Sequence, residues 1–80
     1  MDSEYIKRTI ASGLVCEGLS VEGDGEHFEA IIVSSQFVGK SHIQRQQLVN
    51  ALLKADFDSG ELHALSMKTL TPDERSALIG

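Results

Sequence analysis

The chain has 80 residues, of which 41% are apolar, and its 12 acidic and 7 basic residues give a net charge of −5. A chain of this length builds one hydrophobic core, so we expect a single domain over residues 1–80, and the acidic balance opposes nonspecific binding to a polyphosphate backbone. The single cysteine, Cys16, cannot form a disulfide within the chain. No apolar run reaches the ~18 residues that a membrane span needs, and the start of the sequence has no signal-peptide pattern. We therefore expect a cytoplasmic protein without disulfides or membrane segments.

The first segment is typical of an amphipathic helix. Asp2 or Ser3 can cap its start, and Gly13 or Gly18 can close it. Its apolar side chains recur every four residues and predict one buried stripe, formed by Ile6, Ile10 and Leu14.

Two strands are predicted next, joined by the turn Gly23-Asp24-Gly25, and we expect them to pair antiparallel. In the first strand, Leu19 and Val21 alternate with polar residues, which indicates that one face is buried. The second strand, residues 28–33, is nearly continuously apolar, so we expect it to be central and buried on both faces.

A turn over residues 37–41 precedes a helix that Ser41 can cap and that we expect to run to about Lys54 or Ala55. Its buried stripe consists of Leu48, Val49, Leu52 and Leu53. The turn-forming residues 58–60 then interrupt the pattern.

A third strand is predicted over residues 62–69, in which His63 is in phase with the more apolar set and so lies toward the core or at its rim. Thr71-Pro72-Asp73-Glu74 is a capping box that opens a short helix to Leu78 or Ile79. A strand, crossover helix and strand form a parallel, right-handed unit. We therefore predict an α+β fold with a mixed three-stranded sheet and helices packed on one side.

Motifs for catalysis are weak. Gly39-Lys40-Ser41 lacks the glycine that a phosphate loop has five residues earlier, because position 34 is Ser34. Cys16 has no recognisable oxyanion hole or orienting acid that would make it a catalytic nucleophile. We therefore expect that the protein is not an enzyme.

Two of the three histidines, His27 and His63, lie at the starts of predicted strands. If these strands are parallel neighbours, both imidazoles lie at the same end of the sheet. Two imidazoles leave a zinc or iron-sulfur site incomplete, so a partner would have to supply the missing ligands. The alternative for each histidine, including His42, is an ordinary surface or hydrogen-bonded side chain.

The charged residues are segregated along the chain. Residues 17–29 contain five acidic residues and no Lys or Arg, whereas residues 40–54 contain no acidic residue and three basic ones: Lys40, Arg45 and Lys54. The basic segment predicts a surface for an acidic partner or a nucleic acid, and the alternative is solvated surface charge.

From about residue 21 onward, short motifs follow one another in a family-like order and spacing. They are Gly23-Asp24-Gly25-Glu26-His27-Phe28, Val33-Ser34-Ser35-Gln36-Phe37-Val38-Gly39-Lys40-Ser41, Arg45, Leu48-Val49-Asn50-Ala51-Leu52, Leu62-His63-Ala64-Leu65-Ser66-Met67-Lys68-Thr69 and Thr71-Pro72-Asp73-Glu74. In this order the sequence resembles the BolA family, and within it the short IbaG-like members. The N-terminal helix matches only in pattern.

The resemblance implies a BolA-like domain with the order αββααβα, similar to a type II KH fold, that pairs with monothiol glutaredoxins. Such a complex shares a [2Fe-2S] cluster, for which the glutaredoxin supplies its active-site cysteine and a glutathione thiolate. His63 matches a family ligand. The second family ligand is a Cys or His in the loop between the first two strands, where this chain offers only His27; Cys16 precedes that loop and inherits no role.

The leading hypothesis is thus an adaptor in iron-sulfur trafficking or iron regulation. The alternative is a nucleic-acid-binding transcriptional regulator that uses Lys40, Arg45 and Lys54. The net charge, the absence of a KH-type Gly-x-x-Gly clamp and the 5% of aromatic residues stand against it. A third hypothesis is an interaction module without a metal, and a homodimer also stays open.

Overall fold

The computed structural model describes residues 1–24 and 26–79, without the side chain of Ile79. Gly25, the third residue of the predicted turn, lies outside the described residues. The elements are α1 (Ser3–Gly13), β1 (Gly18–Gly23), β2 (His27–Val33), a 3-10 turn (Ser35–Phe37), α2 (His42–Leu52), α3 (Lys54–Ser59), β3 (Ala64–Leu70) and α4 (Pro72–Ile79). The order αββααβα is confirmed. In the part of the chain that is described, every helix is too short or too polar to cross a membrane.

The sheet has the order β1-β2-β3, so β2 is the central strand as predicted. β1 and β2 pair antiparallel, from Gly18 opposite Val33 to Gly23 opposite Phe28. β2 and β3 pair parallel, from His27 beside Ala64 to Val33 beside Leu70. The mixed three-stranded sheet of the predicted α+β class is therefore confirmed.

The core lies on one face of this sheet. Phe28, Ala30 and Ile32 of β2 are buried against Ile6 and Ile10 of α1, together with apolar residues of α2 and the segments beside it. On the other face of β2, Glu29 is exposed and Ile31 is 48% exposed. The prediction that β2 is buried on both faces was wrong for most of the strand, because successive residues alternate between the two faces and the outward His27, Glu29 and Ile31 are exposed, whereas only Val33, at the end of the strand, is buried on that face.

The starts of α1 and α2 are set by capping side chains, whereas the end of α2 differs from the predicted one. Asp2 caps α1 by accepting a hydrogen bond from the Tyr5 backbone, and Ser41 forms a capping box with Gln44 at the start of α2. α2 ends at Leu52, two residues earlier than the predicted limit, because the fully buried Leu53 leaves helical geometry at φ −108° and ψ 12°. The chain then forms α3, which ends at Ser59, and Gly60 caps it with a φ of +81°, a left-handed conformation that favours glycine.

Candidate functional site

The first candidate site is the end of the sheet where β2 and β3 begin. His27 is the first residue of β2 and lies beside Ala64, the residue that follows His63. The parallel register therefore confirms the prediction that both histidines lie at the same end of the sheet. Both side chains are exposed, so both can be reached by another molecule.

The two histidines are held by different local structures. The carboxylate of Asp24 accepts hydrogen bonds from the backbone N–H groups of His27 (2.9 Å) and Glu26 (3.0 Å), which lower the pKa of Asp24. These bonds fix the backbone where β2 starts. The histidine end of β2 is thus ordered by a side chain of the preceding turn.

His63 is placed by its neighbour. Leu62 is 2% exposed, and its backbone N–H donates to the Asp56 carbonyl at 3.0 Å, so this residue is anchored in the core. His63 follows it as an exposed residue, one position before β3 begins. Of the two predicted positions, toward the core or at its rim, the structure shows the rim.

The described residues do not complete a metal site on their own. Among residues 1–24 and 26–79, no group of three or more His, Cys, Asp or Glu side chains is close enough to hold a metal ion. Protein-bound zinc and iron-sulfur centres need about four ligands per metal. A metal centre held by His27 and His63 would therefore take its other ligands from a second molecule.

Cys16 lies at the opposite end of the sheet. It precedes β1, whose first residue pairs with Val33, whereas His27 is at the other end of β2, about 20 Å away at roughly 3.3 Å per residue. Burial raises the pKa of the Cys16 thiol, and the carboxylate of Glu17 raises it further. Cys16 is therefore protonated at neutral pH and too distant to share a ligand site with the two histidines.

The structure corrects the predicted basic surface. Arg45 is only 6% exposed, so the prediction that it belongs to a partner or nucleic-acid surface was wrong. Lys54 is exposed but forms an ion pair with Asp58, one helical turn later. Lys40 and Lys54 flank α2 and are separated by about 20 Å at roughly 1.5 Å per residue, so they do not form a continuous patch.

Arg45 instead joins three segments of the chain. Its guanidinium binds the carboxylate of Glu74, with Nη1 at 2.7 Å from Oε1, and donates to the backbone carbonyls of Thr69 (3.1 Å) and Lys40 (3.0 Å). It also lies 5.8 Å from the centre of the Phe37 ring. Because Arg45 and Val49 are four residues apart, the buried helical stripe of the sequence already contained the signal for this burial.

Glu74 has two roles in this contact. Its carboxylate accepts a hydrogen bond from the Thr71 backbone while its own backbone N–H donates to the Thr71 hydroxyl, which confirms the predicted capping box of α4. The hydrogen bond from Arg45 and then that from Thr71 lower the pKa of Glu74 to about 2. The bond to Arg45 was not foreseen, because 29 residues separate the two side chains.

Comparisons with known proteins cover nearly the whole of this architecture. The family model described as BolA-like protein matches residues 9–74. Acid stress protein IbaG of Escherichia coli strain K12 is 34% identical over 74 residues, which cover 92% of this chain and 88% of the relative.

Solved structures give the same result. A bol-like protein from Babesia bovis superposes with a TM-score of 0.88 at 34% identity, covering 100% of this chain and 95% of that chain. A bolA protein homologue from Coxiella burnetii has a TM-score of 0.83 at 40% identity, covering 95% of this chain and 97% of that chain. The Babesia bovis match, which covers the whole chain, includes both histidine-bearing strand starts and the segments that Arg45 joins.

Proposed function

Because the chain belongs to the BolA-like family, we propose that it is an adaptor without enzymatic activity that binds a monothiol glutaredoxin and shares a [2Fe-2S] cluster with it. The proposed role is iron-sulfur trafficking or iron regulation. The observation that carries the proposal is the position of His27 and His63 at one end of two parallel strands, both exposed.

The donor set fits a shared cluster. Imidazole nitrogen can replace thiolate as an iron ligand, and two such ligands leave the remaining positions to the cysteine of glutaredoxin and a glutathione thiolate. When bound, the cluster would supply iron and sulfide that can pass to an acceptor. His63 is the stronger candidate, because the buried Leu62 anchors the backbone immediately before it.

The ligand type makes the proposed site sensitive to its surroundings. A neutral imidazole carries no negative charge, so it raises the reduction potential of a cluster relative to a thiolate ligand and can be displaced by a proton. Both properties suit transfer of a cluster better than permanent storage. Exposure of the two side chains supports the same role, since the partner must reach them.

The test is anaerobic reconstitution with a monothiol glutaredoxin, glutathione, iron and sulfide. We expect the complex of the His63→Ala variant to have an altered visible absorption and circular dichroism spectrum and a shorter cluster lifetime, with a smaller change for His27→Ala. His42→Ala is the matched control, because His42 is also exposed but begins α2, away from the starts of β2 and β3.

The outcomes separate the competing functions. A spectrum and lifetime unchanged by His63→Ala would remove the ligand assignment, and a glutaredoxin complex that forms equally well without iron would favour an interaction module without metal. Salt-sensitive binding of a labelled oligonucleotide would favour the nucleic-acid alternative. That alternative has lost Arg45 from its contact surface.

A further inference from the structure

The sheet has an open edge along β3. Because the strand order is β1-β2-β3, the second side of β3 has no strand partner among the described residues. Successive residues of a strand direct their backbone N–H and C=O groups to alternate sides. The Leu70 carbonyl accepts a hydrogen bond from Ser34, which directly follows β2, at 2.9 Å, so Leu70 directs its backbone groups toward β2. By alternation, Leu65, Met67 and Thr69 direct theirs toward the open edge.

Arg45 provides independent support for this assignment. Its Nη1 approaches from α2, outside the sheet, and donates to the Thr69 carbonyl at 3.1 Å. This contact occupies the C-terminal part of the edge. Among the described residues, the backbone N–H and C=O groups of Leu65 and Met67 make no comparable hydrogen bond outside the sheet, so they are the part of the edge available for strand pairing.

A groove runs between this part of β3 and the helices α2 and α3. Its lining residues carry no charge: Gln46, Asn50, Phe57, Leu65, Ser66 and Met67. Phe57, Leu65 and Met67 are half-buried and form its apolar part, whereas Gln46 and Asn50 are exposed. The two amides are four residues apart on α2 and so lie on the same face of the helix, one turn from each other.

We propose that this groove binds an extended, uncharged peptide segment of a partner protein, which adds to β3 as a short fourth strand. An extended chain has hydrogen-bonding groups on both sides. Leu65 and Met67 can pair with one side through two N–H and two C=O groups, and the amides of Gln46 and Asn50 can bind the other. This two-sided arrangement favours a single peptide chain over the sheet of a second copy, whose own strands already occupy one side.

The chemistry of the lining also discriminates between classes of partner. A single-stranded nucleic acid needs cations for its phosphates and aromatic faces for its bases, and this groove has no Lys or Arg and one half-buried aromatic ring. His63 immediately precedes β3, so a partner segment seated on β3 has one end beside this histidine. The link between the peptide site and His63 rests on the proposed function, whereas the peptide site itself does not.

The test is titration of the full ¹⁵N-labelled chain with the peptide acetyl-Thr-Val-Thr-Val-Thr-amide, without glutaredoxin or metal. We expect saturable NMR shifts of the Leu65 and Met67 amide resonances, without comparable shifts in the opposite edge strand β1. The same peptide with N-methyl groups on alternate residues should bind about tenfold more weakly, because its N–H donors are lost. This control leaves the protein unchanged, so it does not depend on a variant that folds.

Variants of α2 give a second readout. Asn50→Ala should weaken binding roughly threefold, whereas Gln47→Ala, an exposed amide away from the groove, should not change it. Equal affinity for the N-methylated peptide, or shifts confined to other strands, would overturn the proposal. The proposal would also be overturned if oligothymidylate bound more tightly than the peptide and shifted the same resonances. Dimerisation that shifts these resonances with rising protein concentration, in the absence of peptide, would overturn it as well. Because no cluster is present, failure here leaves the proposed function untouched.

Discussion

Replacing Arg45 with methionine removes the charge that joins the turn before α2, the end of β3 and the start of α4. Methionine has a similar length and helix propensity, so the aliphatic packing of the side chain is largely retained. The substitution therefore isolates the guanidinium and its hydrogen bonds.

The magnitude follows from which partners are left without hydrogen bonds. Thr69 is only 4% exposed, and a buried carbonyl that loses its donor costs about 1–3 kcal/mol. Loss of the cation contact with Phe37 adds about 0.5–1 kcal/mol. The Glu74 side chain is 42% exposed and can turn to water, so it is not left without hydrogen bonds, and the attraction that it loses is not included in this range. Arg45→Met should thus lower the free energy of unfolding by about 1.5–4 kcal/mol.

The assay is urea unfolding followed by circular dichroism at pH 7, with thermal unfolding in parallel. For a chain of this length, the expected loss corresponds to a Tm lower by roughly 6–32 °C. Lys54→Met is the matched control: both partners of its ion pair with Asp58 are exposed, so it should cost about 0.5 kcal/mol or less. A loss in Arg45→Met no larger than that of the control would refute the structural role of Arg45.

Three further predictions concern titration, backbone geometry and thiol reactivity. The pKa of Glu74 is lowered from 4.5 to about 2 in the folded chain, so its stabilising contribution is present above about pH 4.5 and is lost as the pH falls toward 2. The difference in urea midpoint between wild type and Arg45→Met should therefore narrow from pH 6 to pH 2, and a constant difference would contradict this. Gly60 has φ +81° with open space where a Cβ atom would lie, so Gly60→Ala should cost about 1 kcal/mol through backbone strain alone, and Gly60→Asn less; equal urea midpoints for glycine and alanine would argue against it. Because burial raises the pKa of Cys16, alkylation by iodoacetamide at pH 8, followed by mass spectrometry, should be slower in the folded chain than in urea, and equal rates would show that the thiol is not protected.

Much of the candidate site follows from the sequence because it depends on strand direction. A helical crossover between two strands requires parallel pairing, and parallel pairing places the starts of both strands at one end. Chain connectivity alone therefore brings His27 and His63 together. Connectivity does not predict that His63 is exposed, because this exposure depends on the anchoring of Leu62 by the core.

Prediction from the sequence was wrong where the surroundings of a side chain come from residues that are distant along the chain. Arg45 was assigned to the surface because charged side chains are usually exposed, but Glu74 and two backbone carbonyls neutralise and satisfy its guanidinium in the interior. β2 was assigned two buried faces from its apolar composition, yet Glu29 and Ile31 on its outward face are exposed, and on that face only Val33, at the end of the strand, is buried. The spacing of Arg45 from Val49 is a local signal for its burial, but neither the partners of its guanidinium nor the exposure of the outer face of β2 follows from a short segment of the chain.

By itself, the sequence determined the caps, the turns, the order of elements and the direction of strand pairing, since each follows from residues within a few positions or from chain connectivity. Only the tertiary structure decided which charged side chain is buried, which sheet face is open and which part of the β3 edge is unpaired. These properties depend on contacts between elements that lie far apart in the chain. For that reason the position of the two histidines at one end of the sheet was predictable from sequence, whereas the Arg45 contact and the groove beside β3 were not.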